Sequence, residues 1–409
     1  MPVITLFSGS YCQEADVIRK VVEMSGYTLV DEPSLIAEAG KQFQMDESKL
    51  IKALRGKTSV FNKFTHEKER ALACLKMTLA SLLKQDNLLI SGFPALMVPP
   101  DISHVLKVCI IADLKYRAGI AAQVEGLSEK DAVKRVHKED ESSVLWVDYL
   151  FGRKDPWDPE LYDMLIPMDK NSVDEAAALI FTNVKKDVLR VTEASRKAVE
   201  DFILAAQVDM KLAKEGHNVS VSAKDGLVTL VINKHVLMLS SLEEDLKRIV
   251  QTVPGVKDIE TKVGAGYYQT DIYRKFDFEV PLPSKVLLVD DEREFVQTLS
   301  ERLEMRDLGT AVVYGGEEAL SVVAEEEPEV MVLDLKMPGV DGLEVLQRVK
   351  SEHPNVEVIV LTGHGSSEIE KKCMEMGACA YLEKPVDIDT LTRTMKEAYA
   401  KIKARKKDE

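Results

Sequence analysis

Short apolar runs alternate with helix-length amphipathic stretches along most of the chain. Residues 3–7 (VITLF), 88–91 (LLIS) and 106–111 (LKVCII) are such runs. The segments between them are long enough for helices, the first marked by Val17, Val21 and Val22. Buried strands of this length alternating with helices predict an α/β domain with a largely parallel sheet. The pattern closes near residue 181, after YDMLI (162–166) and SVDEAAALIF, a helix capped by Asn171 or Ser172 with acids in its first turn. The texture then changes. A charged helix is expected from about 186 to 215, followed by VSVSAKDGLVTLVI, two alternating strands joined at Asp225-Gly226 in a hairpin. A helix carrying Leu242, Leu246, Ile249 and Val250 comes next, then a turn and a strand in PGVKDIETKV, which makes an α-β-β-α-β unit. Residues 268–284 hold two prolines and no helical period, and read as a linker. From Lys285 the alternation is clean: VLLVDD, TAVVY, VMVLDL, VEVIVLTG and AYLEKP are each followed by a helical stretch. Five strands and five helices in about 120 residues predict a doubly wound parallel sheet.

Charge sharpens this division. The 409 residues carry 54 Lys plus Arg against 69 Asp plus Glu, a net charge of −15, which argues against binding nucleic acid or anionic membranes through overall charge. Residues 284–409 alone hold 17 basic and 27 acidic side chains, net −10, so the C-terminal domain supplies most of the excess. The five cysteines (Cys12, Cys74, Cys109, Cys373, Cys379) show neither CxxC nor zinc-ligand spacing and read as reduced thiols. No segment reaches the ~20 apolar residues of a membrane span. MPVITLFSGSYCQEAD lacks a basic leader, so no secretory signal is expected and the protein is placed in the cytoplasm.

In a doubly wound sheet, side chains at the carboxyl ends of the strands converge on one crevice. Here those ends carry Asp290-Asp291, Asp334, Thr362 and Lys384. Three carboxylates at one edge repel, and a divalent oxygen-loving cation such as Mg²⁺ would compensate them. The lysine ammonium and threonine hydroxyl would stabilise a phosphoryl group passing to a carboxylate. One strand-end acid would mean little; the whole set is specific. KVLLVDDE, VMVLDLKMPGVDGLEVL, VIVLTGHGS and AYLEKP closely resemble the receiver domain of two-component response regulators, over about residues 284–403. That resemblance implies a flavodoxin-like (βα)5 fold with Asp334 as phosphoacceptor. It also implies Mg²⁺ held by Asp290, Asp291, Asp334 and the Lys336 carbonyl, Thr362 and Lys384 on the phosphoryl group, and Tyr381 as the switch aromatic.

The first strand leads into SGSYCQEADVIRKVVEMSGY, where a phosphate-binding loop would need more glycines than Gly9 and a lysine that is absent. LLISGF, KVCIIADLKYRAGIAAQVEGLSEKDAVKRVHKEDES and YLFGRKDPWDPELYDMLIPMDKNSVDEAAALI nonetheless resemble the cytidylate-kinase-like family, over about residues 1–182. The first of these matches its second strand. Arg117 and Asp140 stand where that family keeps an arginine and an aspartate. Tyr11, Cys12, Gln13 and Glu14 replace the glycine loop, and Ser143 stands in place of a lid arginine. The expectation is a P-loop-kinase-like sheet without kinase activity. VSVSAKDGLVTLVI and IVQTVPGVKDIETKV resemble the BON domain, over about residues 198–265, with 266–283 as linker; its strands lack a basic amphipathic face, so a protein contact is expected rather than a membrane one.

The isolated histidines His66, His104, His137, His217 and His235 suggest no metal site, and Trp146 and Trp157 are not interleaved with basic residues as a nucleic-acid surface would be. No helix-turn-helix-sized segment follows residue 403, so DNA binding on that side is not expected. The chain reads as a response regulator phosphorylated on Asp334 by a sensor histidine kinase or phosphotransfer protein. It would signal through its upstream modules to an unnamed protein partner; a homodimer is left open. The alternatives are a receiver-regulated nucleoside monophosphate kinase and a scaffold with a constitutive receiver.

Overall fold

The apolar runs become strands buried on both faces, as a parallel sheet covered by helices requires. The computed structural model describes residues 2–55, 59–234, 236, 239–264, 267, 282–304, 306, 308–363 and 366–408. Its described residues form two compact units, one within 1–57 and 67–273, the other within 58–66 and 274–409.

In chain order the first α/β segment contains β1 (Val3–Ser8), α1 (Glu14–Ser25), β2 (Thr28–Val30), α2 (Glu32–Phe43), α3 (Glu47–Arg55), α4 (Asn62–Thr65), α5 (Glu67–Leu82), β3 (Leu88–Ser91), β4 (Val105–Ile111), α6 (Leu114–Glu125), α7 (Glu129–Phe151), β5 (Met164–Pro167) and α8 (Val173–Val184). Of these, α4 belongs to the second unit. The sheet order is β2-β3-β1-β4-β5, and every pairing is parallel. LLIS is therefore the third strand of the chain, not the second; β2 precedes it as a three-residue edge strand with two exposed positions. Alternation along β1 sends Ile4 and Leu6 into a cluster with Val17 and Ile180, and Val3 and Phe7 into one with Leu75 and Trp146. Ser172, not Asn171, caps α8 in a capping box with Glu175.

The charged helix expected over 186–215 is divided. A 3₁₀ turn at Asp187–Leu189 precedes α9 (Glu193–Lys214), because Thr192 and Ser195 build a second capping box there. Next come β6 (Ser220–Lys224), β7 (Leu227–Ile232), α10 (Leu239–Val250) and β8 (Asp258–Val263). Their sheet runs β6-β7-β8, antiparallel then parallel. Leu204, Val208, Val228, Leu230 and Leu246 share its core with Tyr267. Of the linker expected over 266–283, only 267, 282 and 283 fall among the described residues.

The second unit contains β9 (Val286–Val289), α11 (Arg293–Glu304), β10 (Thr310–Val313), α12 (Gly316–Glu325), β11 (Val330–Leu333), α13 (Gly342–Glu352), β12 (Glu357–Thr362), α14 (Ser367–Glu375), β13 (Ala380–Glu383) and α15 (Ile388–Asp408). The all-parallel order β10-β9-β11-β12-β13 is that of a flavodoxin-like (βα)5 sheet. Val286 and Leu288 face Val296, Leu391 and Met395; Leu287 and Val289 face Val323, Val345 and Cys373. Phe61, ahead of α4, is fully buried within that second cluster. No helix among the described residues is long and apolar enough to cross a membrane.

Candidate functional site

The carboxyl ends of β9, β11, β12 and β13 deliver Asp290, Asp334, Thr362 and Lys384 to one edge. Asp290 and Asp334 are 4 % and 6 % exposed, so their charges are largely removed from water. The Lys384 ammonium donates to Asp290 Oδ2 at 2.6 Å and to Asp334 Oδ2 at 3.1 Å, and lies 4.4 Å from the centre of the Phe295 ring. Asp334 Oδ1 accepts from the Leu335 amide at 2.6 Å and the Lys336 amide at 3.5 Å, which fixes one oxygen and leaves the other to the lysine. Gly342 makes this loop possible: its amide donates to the Leu335 carbonyl at 2.9 Å, and a Cβ there would stand 2.1 Å from the Asp334 carbonyl oxygen. Thr362 is fully buried, and its carbonyl accepts from the Lys384 amide at 2.9 Å. Tyr381 packs against the sheet face that holds Leu333 and Val360, and its enclosed hydroxyl finds no hydrogen bond of good geometry among the described residues.

Burial pushes the Asp290 carboxyl above its usual range; Lys384 opposes that and the Asp334 charge adds to it. Burial likewise works against the Lys384 ammonium, but hydrogen bonds and charge from Asp290 and Asp334 hold its pKa above the ordinary lysine value. Carboxylate oxygens of Asp290, Glu292 and Asp334 lie within 4.8 Å of one another. An all-oxygen donor set of this kind suits a hard divalent cation. Glu292 was not singled out from the sequence, although it stands within VDDE. Asp291 is exposed beside the cluster, and Lys336 is exposed on the loop.

The first sheet places Ser10, Arg117 and Asp140 together near the carboxyl end of β1. Arg117 is 6 % exposed and its guanidinium is engaged within the chain. Nε donates to the Ser10 carbonyl at 2.8 Å, and the terminal nitrogens donate to Asp140 at 3.0 and 2.5 Å and to Ser10 Oγ at 3.0 Å. The Trp157 ring lies 5.9 Å from the guanidinium carbon. Tyr11 and Gln13 both have positive φ, and Gln13 enters α1 without a side-chain cap. Burial, then the Glu32 charge, push the Glu14 carboxyl up to about 7, against the pull of Arg55. Ser143 is buried within α7. Sequence reasoning found Arg117 and Asp140 but not their closure by Ser10 and Trp157, which long-range packing alone decides. Burial also pushes the Cys12 thiol up to about 12 and Cys74 to about 11, as inert core thiols.

Sheet order and a lysine-bridged acidic crevice at the strand ends define a doubly wound domain of the acidic-pocket receiver type. The chain belongs to the response regulator receiver domain family, which its residues 286–396 match. Residues 3–170 match the cytidylate kinase-like family. Sporulation initiation phosphotransferase F of Bacillus subtilis (strain 168) is 34 % identical over 113 residues, 28 % of this chain and 91 % of that protein. The uncharacterized transcriptional regulatory protein YesN of the same strain is 34 % identical over 122 residues, 29 % of this chain. The DNA-binding transcriptional regulator NtrC of Escherichia coli (strain K12) is 34 % identical over 113 residues, 28 % of this chain. The matched region spans only 33 % and 24 % of these last two proteins. Among solved structures, the receiver domain of the Francisella response regulator 1452 is 31 % identical, covering 29 % of this chain and 98 % of that one, with a TM-score of 0.28.

Proposed function

We propose that the protein is a two-component response regulator that accepts a phosphoryl group on Asp334 and signals through its upstream modules. The observation that carries this reading is Lys384, held between Asp290 and Asp334 at the strand ends. A carboxylate oxygen of Asp334 attacks the phosphorus of a phosphohistidine on a sensor histidine kinase or phosphotransfer protein. The P–O bond forms as the P–N bond breaks, its electron pair stays on the ring nitrogen, and the imidazole, already protonated on its other nitrogen, leaves neutral. Lys384 then exchanges its carboxylate partner for the phosphoryl oxygens, and the Thr362 hydroxyl donates to them. Asp290, Asp334 and Asp291 or Glu292, with the Lys336 carbonyl, are the residues that would hold Mg²⁺, which would supply charge neutralisation there. The added −1.5 to −2 charge biases Thr362 and Tyr381 toward a second packing. The relative named as a sporulation phosphotransferase, matched over 91 % of its length, supports the phosphoryl-accepting reading. Cytoplasmic placement and a protein partner for the kinase-like and BON-like modules belong to the same proposal.

The test is acetyl-phosphate labelling of the full chain. Asp334→Asn is nearly isosteric but cannot accept the group, so labelling is expected to vanish while the circular dichroism spectrum is kept. Stoichiometric labelling of the variant would overturn the assignment.

A further inference from the structure

In the first unit a cavity of about 650 Å³ opens beside β6, within the range of ligand sites. Its apolar wall includes Leu72 of α5, Trp146 and Tyr149 of α7, and Phe202 of α9. Every residue from His217 to Ala223 lines it. Successive side chains of a strand point to opposite faces, so a cavity lined by an unbroken run looks onto the strand's edge rather than a face. That edge has no second strand beside it: the sheet order puts β6 outermost, paired with β7 alone, with α9 packed alongside.

The hairpin fixes which backbone groups face outward. Asp225 and Gly226 form a two-residue loop with φ of 56° and 86°, the I′ geometry, which makes Lys224 and Leu227 a hydrogen-bonded pair. Pairs alternate along an antiparallel ladder. Ser222–Thr229 and Ser220–Val231 are therefore also bonded, and Val221 and Ala223 turn N–H and C=O away from β7 toward the cavity. No hydrogen bond from these outward groups is found among the described residues. The charged side chains lining the cavity are Glu69, Asp101, Asp201 and Asp209 against Lys76 and Lys234, and Lys76 is already paired with Asp209.

We propose that this edge and cavity receive an extended segment of a partner protein by strand addition, with alternate apolar side chains against the aromatic wall and lysine or arginine opposite the acids. Strand addition draws affinity from main-chain bonds and specificity from pockets for alternate side chains. The free edge supplies the first and the cavity the second. The inference deepens the proposed partner-binding role of the upstream modules, and its test reads binding without phosphorylation, so the two readings fail separately.

The probe is the peptide KVTVTVK, added to the full chain, with binding read by calorimetry and amide hydrogen exchange read at single residues. Binding with slowed exchange at Val221 and Ala223 is expected. Val221→Pro and Ala223→Pro each remove one outward donor, a substitution an edge strand tolerates, and should weaken binding at least about tenfold. Protection of the Thr229 and Val231 amides reports that the β6–β7 ladder survives in each variant. Should a proline variant lose that ladder, a KVTVTVK peptide N-methylated at every residue from the second to the sixth blocks both of its edges and makes the same test on the wild-type chain, and it should not bind. Equal binding by EVTVTVE would overturn the charge complementarity. No protection at Val221 and Ala223, or undiminished binding by the N-methylated peptide, would overturn strand addition. Protection that grows with protein concentration without peptide would assign the edge to a second copy of the chain instead.

Discussion

At the residue scale, the receiver crevice shows which force sets each charge. Mutual repulsion of strand-end carboxylates is a natural expectation, yet burial is the larger reason the Asp290 carboxyl lies high, and the Asp334 charge contributes least among its causes. Lys384 is what makes the arrangement tolerable, since it touches both acids. The strand-end residues were readable from sequence because a parallel sheet carries every strand's carboxyl end to one edge. Glu292 was not, because its approach depends on how the turn after β9 swings into α11. The choice between Asp291 and Glu292 is open to experiment. Asp291→Ala is expected to abolish Mg²⁺-dependent labelling of Asp334, and unchanged labelling would move that ligand role to Glu292. A second residue-scale prediction concerns Glu14, whose carboxyl pKa lies at about 7 in the folded chain. A folded pKa above the unfolded one means the folded state binds more protons across that window, so stability falls as pH rises through about 7. Glu14→Gln should flatten this dependence and stabilise the first unit by ~2 kcal/mol at pH 8. Denaturant titrations at pH 5 and pH 8 check it; an unchanged pH slope in the variant would contradict it.

Elements were legible where a local rule was strong enough to stand without tertiary help. The four-residue runs of β9 and β11 needed only burial on both faces, and the Asp225-Gly226 hairpin needed only its turn chemistry. β2 escaped notice because TLV is short and two of its three residues are exposed, leaving neither a run nor an alternation to detect. The break before α9 escaped because a charged helix and a charged turn share a composition, and only the Thr192–Ser195 box separates them. Gly226 illustrates how an element can rest on one position. Its φ is +86°, and a Cβ there would stand 3.0 Å from the Gly255 carbonyl oxygen and 2.9 Å from the Lys257 side chain. The lysine chain can move aside, whereas the carbonyl is fixed by the turn ahead of β8. Gly226→Ala should therefore cost on the order of 1–2 kcal/mol. The expected outcome is a lower urea midpoint for the first unit and faster exchange of the Thr229 and Val231 amides; an unshifted midpoint would show that the turn adapts.

Across the whole molecule, the two compact units carry different relations between fold and chemistry. The receiver keeps its fold and its strand-end residues together. The first unit keeps a kinase-like sheet, but its arginine is consumed internally. Phosphoryl transfer needs backbone donors around the phosphates and cationic groups spread over the transferring group. Here Tyr11 and Gln13 hold the turn in a left-handed conformation, a carboxyl opens α1 at Glu14, and Ser143 offers no charge from within α7. Arg117 could serve a phosphate only by leaving Asp140 and Ser10, and that would strip the Asp140 carboxylate of its cationic partner. Losing charge stabilisation of this kind typically costs about 10²–10³-fold in rate for a single donor, and several are missing together. The full chain is therefore expected to show no turnover of ATP with CMP or dCMP above background. Rates ordinary for kinases, roughly 1–100 s⁻¹, would instead establish the receiver-regulated nucleotide kinase. Arg117→Ala separates the two readings a second way. In a working kinase it would reduce phosphoryl transfer. In a closed site it should chiefly destabilise the first unit, by about 2 kcal/mol, because one partner of a half-buried ion pair is left behind.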